Sequence, residues 1–457
     1  MESITARLAD FIVNVDRPSV PDAVATDAVY RVMDSVGLGI AASRSELAAI
    51  VTRVGASAGG LAEASVFSSE SKLPVGPASL VNGSLIHAYD FDDMHDVAMV
   101  HISSVTVPTM LALAESRGAT GEEALLALIA GAEVGLRIGA AAPHAFIGRG
   151  WHGTSVCGTF ASAAVACKLL DLDRQQILDA LGIAGSLASG IMQGLVEGAW
   201  VKRVQPGMAC QSGILAALLA RDGLSGPASV LEGPAGLYET FLRGGEYDVD
   251  AVADGLESQW LLPATSYKRY PAGAWTQASM DSAADLVESN RLELADIERI
   301  ECVLPPQAIP VVCEPRERVL NPLNGYQAAF SLPFSVALRL ALKRATIDDY
   351  RDNVVKNRTI LELASRVQCQ SDPGMTPQGF PSKVTVITRG GRCYVADTRY
   401  QRGSSLNPMS APDHRNKFMS NTTQLLNGGN ASLLLDRIEN LWSDNRAFTE
   451  GSLWAVV

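Results

Sequence analysis

Residues 82–104 read NGSLIHAYDFDDMHDVAMVHISS. An apolar helical run ends near Tyr89, a stretch dense in aspartate and histidine follows, and a new helix is expected to begin near Ser103. Helices joined by a loop of titratable side chains describe a helical scaffold that aims functional groups from its connections. The chain has six histidines; His87, His95 and His101 fall here, and His144 and His152 lie further along the same half. Imidazole titrates near neutrality and suits proton transfer.

Three readings of this loop compete. The plainest is a solvated loop whose aspartates cap the next helix. A second takes Asp92-Asp93-Met94-His95-Asp96 as D-D-x-x-D, a pattern by which carboxylates hold magnesium in helical prenyl-diphosphate enzymes. That reading requires a second acidic metal motif, and the sequence contains none. The third is a carboxylate–histidine pair for general acid–base work, with Asp90 and His101 at opposite ends of the loop.

Working outward, helical periodicity marks segments at 4–14, 21–42, 77–89, 104–117, 121–139, 153–170, 174–187 and 207–221. Ser3, Thr120 with Glu123, and Asp173 stand where N-caps are expected. From about residue 263 the texture changes. Residues 300–304 read as a strand, 383–387 and 393–397 as a hairpin turning at Gly390-Gly391, and 326–343 and 358–366 as helices. Residues 412–442 return to helix, with Asn427 to Asn430 as a break. The fold class is therefore mainly α: a large all-helical domain over 1–262, completed by 402–457, and a smaller α+β lid domain over 263–401.

Composition narrows the function. The chain of 457 residues is long enough for two cores, is 47% hydrophobic, and has room for a subunit interface. Its net charge of −12 argues against nucleic acid, which needs a basic stripe. Neither the N-terminus, broken by Glu2, Arg7 and Asp10, nor the apolar run 124–142, broken by Glu133 and Arg137, reads as a targeting or membrane segment. Seven scattered cysteines without a C-x-x-C pair read as reduced thiols, and a cytoplasmic protein is expected.

An acidic protein that binds an anion must gather its cations locally. Lys202-Arg203 in VKRVQPGMACQSG and Lys268-Arg269 in SYKRYPAGAWTQ have no acid nearby in sequence, which suggests a pocket, the alternative being solvent-facing couples. His152, in RGWHGT, opens a helix, where the positive end of the dipole favours neutral imidazole; it is either a base or a helix cap.

These stretches, with GWHGTSVCGTFASAAVACKLLDL (150–172) and QAAFSLPFSVAL (327–338), resemble five ordered motifs of the MmgE/PrpD family. The resemblance implies a helical domain with an α+β lid, an active site in the cleft, a homodimer, and chemistry without metal or organic cofactor on a small di- or tricarboxylate. It implies catalytic roles for Asp90, His101, His152, Lys202 and Lys268, and substrate contacts from Arg203, Tyr267, Gln277 and Phe334. Four positions depart from the family pattern: Met94, Ile102, Gly273 and Gln277, the last replacing a histidine. Glutamine binds carboxylates but does not carry protons at neutral pH. The activity expected is a lyase, either dehydratase or decarboxylase, in which Lys and Arg stabilise an enolate-like intermediate while histidines move protons. A dicarboxylate epimerase and a non-catalytic carboxylate-binding paralogue are the alternatives.

Overall fold

The structure, a computed structural model, describes residues 3–67 and 69–449. The remaining residues of the expected domain ranges, 1–2, 68 and 450–457, lie outside the described residues. The backbone divides into two units: Met1–Ala88, Asp92–Thr265 and Ser410–Val457 in the first, Tyr89–Phe91 and Ser266–Met409 in the second. The seams at 265/266 and 409/410 fall slightly after those drawn from the sequence, and the excursion at Tyr89–Phe91 had no counterpart there.

The first unit is built on helices that begin where the sequence places caps. Ser3 accepts from Ala6 N at the start of Ile4–Asn14. Thr120 and Glu123 form a reciprocal capping box before Gly121–Ala140, as do Asp173 and Gln176 before Arg174–Leu187. The helices Gly153–Leu169 and Gln205–Arg221 pack on each other at the centre, flanked by Val75–Ile86 and Gly121–Ala140. Close approach sets this packing. A Cβ on Gly207 would lie 2.1 Å from Leu80 O, and one on Gly83 would lie 2.9 Å from Gly207 Cα. Only hydrogen at these positions lets Val75–Ile86 touch Gln205–Arg221, and His87 and Lys202 sit just beyond the touching ends.

This unit is not all-helical. Ala64–Val66 and Ser69–Leu73 pair antiparallel, and a helix at Glu46–Ser57 precedes them. The strands are three and five residues long and mostly polar, which hid them; the helix carried a readable signal, with Leu47, Ala48, Val51 and Gly55 on one buried face. The expected break between two helices is present but slightly earlier: Ala411–Thr422 ends before it, and Asn427 caps Gly428–Glu439 by accepting from Asn430 N, so the glycines form the first turn.

Buried charges tie loops to this scaffold. Arg31, 1% exposed, donates to Asp27, Asp93 and the carbonyls of Leu262 and Thr265. Asp93 in turn accepts from Ser103 N and Oγ, capping Ser103–Arg117 and fixing the loop that precedes it. Glu133 accepts from Leu261 N and Leu262 N, while Arg137 reaches the carbonyls of Asp254, Gly255 and Gln259. No helix among the described residues is long and apolar enough to cross a membrane.

The second unit carries a four-stranded sheet in the order Val367–Ser371, Ile297–Leu304, Ser382–Thr388, Cys393–Thr398. The first pair is parallel, the others antiparallel. The expected hairpin is present; the edge strand Val367–Ser371, with four of its five residues at least partly exposed, escaped the sequence reading. Helices Gln277–Ser289, Leu332–Leu342 and Arg358–Ser365 pack with the sheet and each other. Ser331 caps Leu332–Leu342 by accepting from Phe334 N, so F-S-L-P-F is in part a helix-start signature.

Candidate active site

Within the first unit three of the histidines converge. His87 is the C-cap of Val75–Ile86, His101 lies just before Ser103–Arg117, and His152 is the N-cap of Gly153–Leu169. Their ring centroids are 4.6 Å (His87–His101), 5.7 Å (His87–His152) and 6.4 Å (His101–His152) apart. His95 does not join them as a side chain; its Nδ1 accepts from Val97 N and Ala98 N and shapes the loop.

A chain of contacts links this cluster to two charges. Asp92 Oδ2 lies 2.8 Å from His87 Nδ1 and 3.3 Å from His101 Nδ1, and Lys202 Nζ lies 2.8 Å from His87 Nε2. An ammonium can only donate, so His87 Nε2 accepts and its ring proton sits on Nδ1, directed at Asp92. Burial drives the His87 pKa down to about 4, with Asp92 opposing and Lys202 reinforcing, so the ring between the two charges is neutral at pH 7. Burial pushes the Asp92 carboxyl up, but contact with His87 and His101 outweighs it and holds the group well below the usual carboxylate range.

His152 is neutral for a related reason. Burial, then the positive charge of Lys202 and the rings of His87 and His101, hold its pKa well below 6.5. It makes no side-chain cap bond, and neither ring nitrogen has a hydrogen-bond partner of acceptable geometry, which disposes of the capping alternative. The adjacent Gln205 Oε1 is likewise buried without one. Contact between His152 and Gln205 opposes the downward shift, so the two side chains face each other without a well-formed hydrogen bond.

In the second unit Lys268, fully buried, donates to Asp90 Oδ2 at 2.7 Å and to the Asp90 carbonyl. Asp90 holds a left-handed backbone, φ 51°, a conformation aspartate tolerates better than most residues. The two cationic couples each divide. Lys202 and Lys268 are buried, whereas Arg203 is half-buried over Trp200 at 5.1 Å, and Arg269 pairs with Asp281. Tyr267 is buried, its N–H donating to Gly403 O.

Two of the expected substrate contacts have partners within the fold. Gln277 Oε1 accepts from Arg269 N and Tyr270 N, and its Nε2 donates to Tyr270 O and Ala272 O. Both lone pairs and both hydrogens are used in stapling the 269–272 turn, which leaves nothing for a carboxylate. Phe334 is fully buried against Tyr350, a packing position.

The D-D-x-x-D reading also fails on geometry, because its carboxylates have separate work: Asp92 faces the histidines, Asp93 binds Arg31 and Ser103, and Asp96 lies 3.8 Å from His95. Among the described residues, His87, Asp92 and His101 are the one group whose ligand atoms, within 4.8 Å of one another, could share a metal ion. His87 and Asp92 were not singled out from the sequence as site residues. The available signal was a histidine ending an apolar helix five residues before an aspartate.

Comparison with known proteins identifies the family. Residues 6–250 match the MmgE/PrpD N-terminal domain and residues 270–440 the MmgE/PrpD C-terminal domain. Cis-aconitate decarboxylase of Homo sapiens is 28% identical over 458 residues, 96% of this chain and 92% of the relative. Cis-aconitate decarboxylase of Aspergillus terreus is 27% identical over 384 residues, 80% of this chain and 77% of the relative. 2-Methylcitrate dehydratase of Escherichia coli K12 is 26% identical over 222 residues, 47% of this chain and 44% of that enzyme. The relatives are enzymes, and the two domain matches together span most of the sequence: the chain belongs to the MmgE/PrpD family.

Proposed function

We propose that this chain is a lyase acting on a small tricarboxylate, and that it decarboxylates a cis-aconitate-like substrate. The observation that carries the reading is the buried, neutral His152, with no well-formed hydrogen bond to its neighbour Gln205, near a Lys202 ammonium held by His87. The breadth of the match to cis-aconitate decarboxylases, against partial coverage for the dehydratase, favours loss of carbon dioxide over loss of water.

In such a reaction the carbon–carboxylate bond breaks, its electron pair forms a new double bond, and the former alkene carbon takes a proton. Negative charge accumulates on that carbon and its carboxylate before the proton arrives. Lys202, with Arg203 at its side in sequence, would stabilise this charge, an effect worth several kcal/mol in a site closed to water. His101, facing the Asp92 carboxylate, would deliver the one proton that the former alkene carbon takes up, and His152 would hydrogen-bond a carboxylate of the substrate.

Incubation with cis-aconitate in deuterated water should release carbon dioxide and place one deuterium in the product, read by NMR. Release of water from 2-methylcitrate would point to the dehydratase, and deuterium exchange without other change to an epimerase. His152→Ala should lower kcat by about 10²-fold or more and Lys202→Met by about 10²–10³-fold. Binding without turnover would leave only a carboxylate-binding protein, and activity lost to a chelator and restored by zinc would move the chemistry to His87, Asp92 and His101.

A further inference from the structure

A second group of buried polar atoms lies entirely in the second unit, on two segments held together by backbone. Tyr267 N donates to Gly403 O at 2.9 Å. Gly403 has φ 102° and packs so closely that an added Cβ would lie 2.5 Å from Tyr267 O. The turn is closed by bonds from Ser404 N to Gln401 O, Gly403 N to Asn407 O and Asn407 N to Ser404 O, and Gln401 N is anchored to Gly379 O. Glycine is required where the two segments meet, so the residues on either side of the junction are placed firmly.

Flanking that junction, Ser266, Gln401 and Ser404 are 1%, 0% and 3% exposed. Yet Ser266 Oγ, both amide atoms of Gln401 and Ser404 Oγ have no hydrogen-bond partner among the described residues. Burying such groups unsatisfied is costly, and here four of their atoms belong to two adjoining segments. Gln277, nearby in sequence, shows the contrast, since all four of its side-chain bonds are made. A glutamine whose amide served the fold would be satisfied by the fold.

We infer that Ser266, Gln401 and Ser404 form a carboxylate-binding subsite within the second unit, Ser266 standing two residues before Lys268 in the sequence. The donors and acceptors match: the Gln401 amide N–H and one serine hydroxyl can donate to a carboxylate, while the other serine hydroxyl donates to Gln401 Oε1. Their neutrality matches too. The Lys268 charge is already balanced by Asp90, so this subsite recognises an unreacting carboxylate by hydrogen bonds rather than by a second buried cation. The inference rests on the tricarboxylate reading above and adds to it the residues that would select the substrate.

The test uses the full chain and tricarballylate, a saturated tricarboxylate, titrated calorimetrically into wild type, Gln401→Leu, Ser404→Ala and, as a control, Gln370→Leu at an exposed edge-strand position. Gln401→Leu should raise Kd at least about tenfold and Ser404→Ala several-fold, with Gln370→Leu unchanged. The ligand-free melting temperature of Gln401→Leu should stay the same or rise, since the variant removes unsatisfied polar atoms. Wild-type affinity in both site variants overturns the subsite, and a lowered melting temperature with intact binding assigns these groups to an internal network instead. If wild type fails to bind tricarballylate, the tricarboxylate reading itself falls and takes the subsite with it.

Discussion

Replacing His87 by asparagine separates the neutral-relay arrangement from one in which the imidazole is charged. Burial, the largest influence, takes the His87 pKa from 6.5 to about 4 in the folded chain. The folded state therefore binds fewer protons than the unfolded one between those values, so His87 leaves stability intact above pH 6.5 and erodes it as pH falls towards 4. At pH 5 the erosion, relative to pH 7.5, is about 2 kcal/mol. At a melting entropy of about 2.1 cal/mol/K per residue, a 457-residue chain shifts by about 2 °C for that amount. Asparagine can still donate to Asp92 but does not titrate, and it does not reproduce the Nε2 acceptor for Lys202. His87→Asn should thus melt lower than wild type at pH 7.5, by the loss of a charge-assisted bond of about 1.5–3 kcal/mol. The gap should then close by about 2 °C on going to pH 5. Asp34 and Glu133, whose carboxyls burial pushes up, act in the opposite sense, but they are present in both proteins and cancel in the difference. Scanning calorimetry of ligand-free protein at fixed ionic strength reads the gap directly. A gap that is constant or widening with acidity would refute a neutral His87.

Arg31→Leu should destabilise the first unit by about 3–5 kcal/mol, because Asp93 and two carbonyls lose a buried donor; a thermal melt indistinguishable from wild type would contradict this. Gln277→His, which restores the residue usual in the family, should lower stability by about 2–4 kcal/mol, since imidazole cannot satisfy four backbone groups, while KM for an accepted substrate changes less than about threefold. A tenfold change in KM at unaltered melting temperature would return Gln277 to the substrate.

The limits of sequence reading here follow from which interactions are local. Caps act over three residues, so Ser3, Thr120 and Asp173 were legible and the helices after them begin where expected. Apolar periodicity located Gly153–Leu169 and Gln205–Arg221 but not their contact, which depends on glycines as far apart as Gly83 and Gly207. The same distance hides partners. Lys202 and His87 are 115 residues apart and Lys268 and Asp90 are 178, so the motifs named both lysines without saying what each would bond. Gln277 could not be placed from sequence, because a binding glutamine and a turn-stapling glutamine look identical until the backbone at 269–272 is in view. His95 and His87 were equally prominent on composition, and only the helix end that His87 occupies turns it into the cluster.

The charge arrangement explains how two charged groups can be buried together with neutral imidazoles. Asp92 and Lys202 are opposite charges separated by a neutral imidazole, so each has a hydrogen-bonded partner and the pair adds no net charge to the interior. His152 faces the positive end of this arrangement, and burial together with Lys202 keeps it uncharged. An anionic substrate on the proposed reading reverses that field: a carboxylate beside His152 offsets Lys202 and favours the imidazolium. The ring that stays neutral in the ligand-free protein thus becomes chargeable when the anion arrives, which couples its protonation to substrate binding.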